Sequence, residues 1–297
     1  MAATPTPPPP PPFASDPAVD AAYGPRAALP PGVFEANIAA YAERSADAYR
    51  TLPHRRDLCY DATSGQCLDI FPAPGPGSKP AFVYIHGGYW RMLGKGDSVF
   101  MAETFTRRGI SVVAVDYALA PAVTLEEIIR QVRASIAWLH RHGATHGIDP
   151  DRIHVGGSSA GGHLAAAVVA GGWREAAGLP DDVVKGAMPV SGLFDLAPIA
   201  RSFVNAWLGL DAARALASSP IHHLPPVACR LVVAWGEHET SGFKDQSRDY
   251  LAAWRFAGHE ATAVEVAGRN HFDVVLDWCD PESLMTERCA AMVLAAP

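Results

Sequence analysis

The segment Gly157-Ser158-Ser159-Ala160-Gly161 is where residue types and spacing most clearly imply chemistry. It has the form G-x-S-x-G, and only Ser159 occupies the central position. Small residues on either side allow a strand to turn sharply into a helix, which strains the serine backbone and projects its hydroxyl above the sheet. The helix behind it directs unpaired N–H groups and the positive end of its dipole at that hydroxyl. The context suits such a turn: the apolar run Ile153-His154-Val155 precedes it, and a small-residue stretch from Leu164 to Ala170 follows. No Gly-Lys-Ser/Thr comes next, which disfavours a phosphate-cradling loop.

A serine hydroxyl is a weak nucleophile, so a base and an orienting acid are required. Where this turn sits on an α/β sheet, the partners follow in the order serine, acid, histidine. His271 is read as the base: it lies in Gly268-Arg269-Asn270-His271-Phe272, just after the last apolar run. His163, His222, His223 and His259 are less well placed. The acid is expected after the run Leu231–Trp235, where Glu237 and Glu239 both stand. Glu239 is favoured because a turn is needed to swing the carboxylate towards the histidine. Glu237 remains a competitor, and Asp245 is more remote.

Upstream, His86-Gly87-Gly88-Tyr89-Trp90 follows the apolar run Ala81–Ile85. Paired glycines after a strand let backbone N–H groups approach a substrate oxygen. Together with the N–H of Ala160, either Gly87 and Gly88 or Gly88 and Tyr89 would form an oxyanion hole. The aromatic residues Tyr89, Trp90, Phe194, Phe203, Trp207 and Phe272 stand beside these segments or in the 198–224 insertion. They read as walls of a pocket for an aryl or small acyl group. For Phe203 and Trp207, core packing is an equal reading.

The elements that must position these groups are legible as eight short apolar runs: 56–60, 67–71, 81–85, 111–115, 153–155, 186–190, 231–235 and 261–266. Several are continuous, as in strands buried on both faces of a parallel sheet. Helical patterns separate them. Thr124 and Glu127 form a capping box ahead of Leu125, Ile128, Ile129, Val132, Ile136 and Leu139, and Gly143 ends that run. Residues 33–50, 243–256 and 282–294 are further helices. The alternation predicts an α/β fold, a mostly parallel eight-stranded sheet with helices on both faces. Residues 32–297 are expected to form one domain, with 32–52 as a small helical cap, and the Pro-rich stretch 1–31 is expected to be a disordered tail.

Composition narrows the classes. A chain of 297 residues can bury one large core or two modest ones. The 31 acidic against 24 basic residues argue against a nucleic-acid partner. No apolar run is long enough to span a membrane, and the start lacks a signal-peptide pattern. Five cysteines, an odd number without a CxxC pair, suggest neither a disulfide framework nor a zinc site, and point to a reduced, cytoplasmic protein. Without an HExxH motif or cysteine cluster, no metal or other cofactor is expected. The partner expected is a small-molecule substrate, and the sequence is compatible with a homodimer.

These residues together resemble the kynurenine formamidase (arylformamidase) branch of the α/β-hydrolases, close to the hormone-sensitive-lipase-type esterases. The resemblance rests on Leu68-Asp69-Ile70-Phe71-Pro72, the His86 to Trp90 segment, Asp116-Tyr117-Ala118-Leu119-Ala120-Pro121, Ser158 to Ala165, and Val190 to Leu196. Phe243, Gln246, Ser247 and the His271-Phe272 pair complete it. Lipase-type esterases usually carry a third glycine where this chain has Tyr89. The resemblance implies an α/β-hydrolase fold, Ser159 as nucleophile, Glu239 as acid and His271 as base. It further implies an N-formylkynurenine-like aryl formamide or a short-chain ester as substrate, and a place in tryptophan catabolism. The formamidases usually have Asp where this chain has Glu239, and the proline tail is unlike the family. A general carboxylesterase or an amidase or carbamate hydrolase would use the same groups. A silent hydrolase fold serving as a ligand receptor belongs to another class, but such proteins typically lose one of these groups.

Overall fold

The computed structural model describes residues 14–295, so the proline run at 7–12 lies outside the described residues. Eight strands form one sheet: β1 (Arg55–Asp61), β2 (Gln66–Phe71), β3 (Lys79–Ile85), β4 (Ser111–Val115), β5 (Ile148–Ser158), β6 (Val184–Val190), β7 (Arg230–Gly236) and β8 (Ala261–Val266). Their order is β1-β2-β4-β3-β5-β6-β7-β8. β2 runs antiparallel to both neighbours, and the remaining pairings are parallel. Burial explains the arrangement. β4 is buried along its whole length, whereas β8 at the far edge exposes three of its residues. The α/β-hydrolase fold expected from the alternating pattern is thus present, with all eight apolar runs in strands. β5 is longer than its apolar run, because Ile148 also pairs with Lys79 across a register irregularity.

Nine helices are present among the described residues: α1 (Pro17–Ala22), α2 (Val33–Thr51), α3 (Ala102–Arg107), α4 (Leu125–His142), α5 (Ala160–Val169), α6 (Asn205–Leu208), α7 (Ala212–Ala217), α8 (Ser241–Phe256) and α9 (Leu284–Leu294). Helices α4, α5 and α8 cover one face of the sheet, and α3 and α9 cover the other. α4 shows why the sequence folds this way. Thr124 Oγ1 accepts from the Glu127 N–H at 3.3 Å, and Leu125, Ile128, Val132, Ile136 and Leu139 are buried against the sheet. Each such side chain contributes roughly 1.5–3 kcal/mol relative to exposure. The capping box is only half made, since the Glu127 carboxylate turns to Arg130 and Gln131.

The expectation of a disordered stretch does not hold for residues 14–31. Asp16 caps α1 by accepting from Ala18 N–H at 3.0 Å, and proline sits at its first position. Asp16 N–H donates to Arg201 O (2.9 Å), and Thr240 Oγ1 donates to Ala22 O (2.6 Å). Tyr23 is buried with its ring edge-on to Phe243. Proline and alanine content suggested a loose tail, but an Asp-Pro cap, a buried tyrosine and these bonds to Arg201 and Thr240 strap the segment down. No helix among the described residues is long and apolar enough to cross a membrane.

Register sets up the site. Ile85 pairs with Gly157, Ser158 with Val190, Val190 with Ala234, and Gly236 with Val266. The carboxyl ends of β3, β5, β6, β7 and β8 therefore form one row, and the loops that leave them meet along a single edge.

Candidate active site

Ser159 stands between β5 and α5 with φ 58° and ψ −119°, a conformation that side-chain-bearing residues rarely adopt. Strain of this kind costs of the order of 1–3 kcal/mol and persists only where the surroundings enforce it. Here Ser159 N–H donates to Val190 O at 2.9 Å, and its carbonyl accepts from His163 N–H at 3.0 Å. The flanking glycines are steric necessities. A Cβ on Gly157 would lie 2.4 Å from Gly161 O, and one on Gly161 would lie 2.0 Å from Ile85 O.

The loop after β3 lies against this turn. A Cβ on Gly87 would stand 2.7 Å from Ser158 O and 3.4 Å from Ser159 Cβ, so only glycine lets the two backbones approach this closely. Gly88, Tyr89 and Trp90 all have positive φ, at 96°, 50° and 56°. No described residue accepts a hydrogen bond from the N–H of Gly88 or Tyr89, and Ala160, the first residue of α5, has the open N–H of a helix start. Tyr89 is held from two sides: its hydroxyl donates to Tyr23 O at 2.5 Å, and its carbonyl accepts from Trp207 Nε1 at 3.1 Å. His86 buttresses the loop from within. Its Nδ1 bonds Gly87 O at 2.9 Å and its ring stacks on Tyr117 at 4.0 Å.

His271 lies 2.9 Å through Nδ1 from Glu239 Oε2. The other carboxylate oxygen accepts from Ser191 Oγ (2.5 Å) and Gly236 N–H (2.6 Å), so the carboxylate cannot rotate away. Such an acceptor on Nδ1 selects the tautomer whose Nε2 carries a lone pair. His271 is buried, with the Phe243 ring packed at 4.1 Å. Glu237 instead turns outward and accepts from Gly268 N–H at 2.8 Å, holding the loop that carries His271. His163 is fully occupied: Nδ1 accepts from Trp90 Nε1 (3.3 Å), and Nε2 donates to Ser218 O (2.8 Å). Burial lowers its pKa to about 4.

Ser159 and His271 share the wall of a cavity of about 710 Å3 with Gly87, Gly88 and Tyr89. Its surface is largely aromatic and aliphatic, with Phe34, Ile38 and Tyr41 of α2, Phe100, Phe203 and Phe272 among the lining side chains. The charged groups Asp20 and Arg26 of the strap also reach it. Tyr41 is fixed by a hydrogen bond to Phe272 O. A hydroxyl on a strained turn, an imidazole held by a carboxylate and open N–H groups around an apolar chamber are the parts needed for nucleophilic attack on a carbonyl.

Of the aromatic residues read as pocket walls, Tyr89, Phe203 and Phe272 line the cavity, whereas Trp90, Phe194 and Trp207 do not. Trp90 is fully buried against His163, Phe194 stacks on Tyr250 at 4.1 Å, and Trp207 supports Tyr89 from behind. Trp90 and Phe194 stand beside site segments in sequence and Trp207 in the 198–224 insertion, but the direction of each side chain is set by packing. Sequence reasoning missed Ser191, the second anchor of Glu239, whose φ of 49° after β6 mirrors Ser159 after β5. The Ser-Gly pair following a strand was the available signal. It also missed the contribution of the strap, whose side chains gave no periodic signal.

Residues 68–188 match the BD-FAE family model. The chain is 31% identical over 258 residues to kynurenine formamidase of Danio rerio, spanning 84% of this chain and 85% of that one. The chain belongs to the kynurenine formamidase family. It is also 30% identical over 236 residues to esterase LipQ of Mycobacterium tuberculosis, covering 69% of this chain and 55% of LipQ. A crystal structure from Silicibacter sp., named only provisionally as a thioesterase, superposes with a TM-score of 0.80 at 28% identity, over 93% of this chain and 99% of that one. Membership in this family makes the chain a serine hydrolase on an α/β-hydrolase scaffold.

Proposed function

We propose that the chain hydrolyses an aryl formamide of the N-formylkynurenine type through a formyl-enzyme, with Ser159, His271 and Glu239 as a catalytic triad. The observation that carries this reading is the 2.9 Å bond between His271 Nδ1 and Glu239 Oε2, beside the strained Ser159 on an aromatic-walled cavity. Ser159 Oγ attacks the formyl carbon while His271 Nε2 takes the hydroxyl proton. The oxyanion is met by the open N–H groups of Ala160, Gly88 and Tyr89, with Gly87 providing the close approach. Each such donor is worth about 10²–10³-fold in rate. His271 then returns the proton to the departing arylamine, and water attacks the formyl ester in the same manner to release formate. Glutamate in place of the usual aspartate is compatible with this cycle, because Ser191 and Gly236 fix its longer side chain. The aromatic walls suit an aryl leaving group. The family's named activity supports a place in tryptophan catabolism, and the cysteine pattern supports a cytoplasmic setting.

Short-chain ester hydrolysis is a second reading, favoured by the 30% identity to esterase LipQ. Esters have the better leaving group, so the same centre would accept them. The test is kcat/KM on N-formylkynurenine beside p-nitrophenyl acetate and butyrate, with Ser159→Ala as the blank. A clear preference for the formamide is expected. Ester turnover with negligible deformylation would replace the first reading by the second, and no turnover of either would reject both.

A further inference from the structure

The edge of the sheet furthest from His271 carries a pair of thiols with no part in the chemistry above. Cys59 of β1 and Cys67 of β2 are register partners in an antiparallel pair, so their side chains leave the same face directly opposite each other. Both are free thiols. Cys59 is exposed and Cys67 half-buried, and β1 is the edge strand, so a small oxidant has access. The Cys67 thiol donates to Gly65 O at 3.4 Å, in the turn that joins the two strands. Opposite Cβ atoms in antiparallel strands lie about 4.5–5.5 Å apart. A disulfide requires about 3.5–4.5 Å. The register irregularities on both sides of Cys59 provide the slack to close that difference.

We propose that Cys59 and Cys67 are an oxidisable dithiol that closes a cross-strand disulfide on reaction with hydrogen peroxide. The Cys59 thiolate attacks a peroxide oxygen, the O–O bond breaks, and a sulfenic acid and one water form. Cys67 sulfur then attacks the sulfenic sulfur and expels a second water. The two thiols lose two electrons and two protons, and one peroxide becomes two waters. A low-molecular-weight thiol reverses the bond by exchange. Burial and the neighbouring Cys59 raise the Cys67 pKa, which suits the exposed Cys59 to first attack and Cys67 to resolution.

The bond would fasten a part of the fold that bears on the site. Asp57, two residues before Cys59, and Asp69, two residues after Cys67, both grip Lys95 Nζ, at 2.7 and 2.9 Å. Lys95 ends the loop that carries Gly87, Gly88 and Leu93 along the cavity. A disulfide between β1 and β2 clamps the two strands from which that grip arises.

The experiment is titration of the whole protein with a small excess of hydrogen peroxide, followed by tryptic mass spectrometry and thermal melting. Tryptic peptide 57–91 holds Cys59 and Cys67 and no other cysteine. The expected result is loss of two hydrogens from this peptide in the monomer, reversal by dithiothreitol, and a Tm raised by a few degrees in the oxidised form. In Cys67→Ser the reaction should stop at a Cys59 sulfenic acid trapped by dimedone, and in Cys59→Ser the peptide should not lose hydrogens. Survival of both thiols in the folded protein, or disulfide-linked dimers through Cys59, would overturn the proposal.

Discussion

Two regions meet at the cavity, and they are built in different ways. The floor, made by the loops after β3, β5, β6, β7 and β8, is fixed largely by backbone. Ser159, Ser191, Gly88 and Tyr89 hold positive φ, and glycine is demanded wherever a Cβ would strike a neighbouring carbonyl. The roof, made by the strap 14–31, α2 and the 198–224 segment, is fixed by side chains: Tyr23, Tyr41, Thr240 and Phe203. The floor places reacting atoms, where a displacement of about 1 Å can cost 10²-fold in rate. The roof shapes the space for a substrate, where displacement changes affinity more than chemistry. Backbone strain belongs to the first task and adaptable packing to the second.

Substitutions should separate the two regions. Ser159→Ala removes the proposed nucleophile and is expected to lower kcat by about 10³-fold or more in a protein that remains folded by circular dichroism. Wild-type-like turnover would remove Ser159 from the floor's chemistry. Glu239→Gln leaves His271 without its carboxylate and should cost about 10³-fold, while Glu237→Gln should stay within about threefold. A reversed ranking in steady-state assays would assign the acid to Glu237. Trp207→Phe keeps the bulk but severs the bond to Tyr89 O, and a fall in kcat of about three- to tenfold is expected with KM little changed. A change confined to KM would mean that Trp207, although bonded to Tyr89, acts only as part of the roof. Phe203→Ala should do the opposite, raising KM several-fold on an aryl substrate with kcat nearly kept.

The least effect on neutral-pH turnover is expected from the buried histidines. His154 and His163 both have pKa values lowered to about 4 by burial. Unfolding restores values near 6.5, so the unfolded chain binds more protons between these limits. Their stabilisation is therefore complete above pH 6.5 and is lost as the pH falls towards 4. Across that window each contributes up to about 3 kcal/mol in total. Urea midpoints measured from pH 7 to pH 4.5 should fall in the wild type and fall less steeply in His163→Gln. Equal slopes would mean that His163 is not a buried neutral group.

The division between floor and roof also marks what could be read in advance. The strained turn at Ser159 was legible because its constraint is local: G-x-S-x-G needs small residues at fixed offsets, and they appear as letters. The eight strands were legible because burial on both faces leaves continuous apolar runs. Trp90 and Trp207 do not face the cavity: Trp90, beside the glycine pair in sequence, packs on His163 behind the turn, and Trp207, in the 198–224 insertion, holds Tyr89 O from behind. The strap was misread because the interactions that hold it, Asp16 with Arg201 and Thr240 with Ala22, connect residues some two hundred positions apart.

The sequence by itself determined the sheet and the strained turn at Ser159, since each follows from short-range sterics and the burial period of strands. The tertiary structure alone decided between Glu239 and Glu237 as the partner of His271. Both carboxylates follow β7 within three residues, and what separates them is contact with distant groups. Ser191 and Gly236 turn Glu239 inward to His271, while Gly268 N–H draws Glu237 to the surface. The tertiary structure likewise decided the cavity, because its wall is assembled from side chains of the strap, α2, the 198–224 segment and the loop after β8. Their convergence depends on how the chain packs, and no local pattern encodes it.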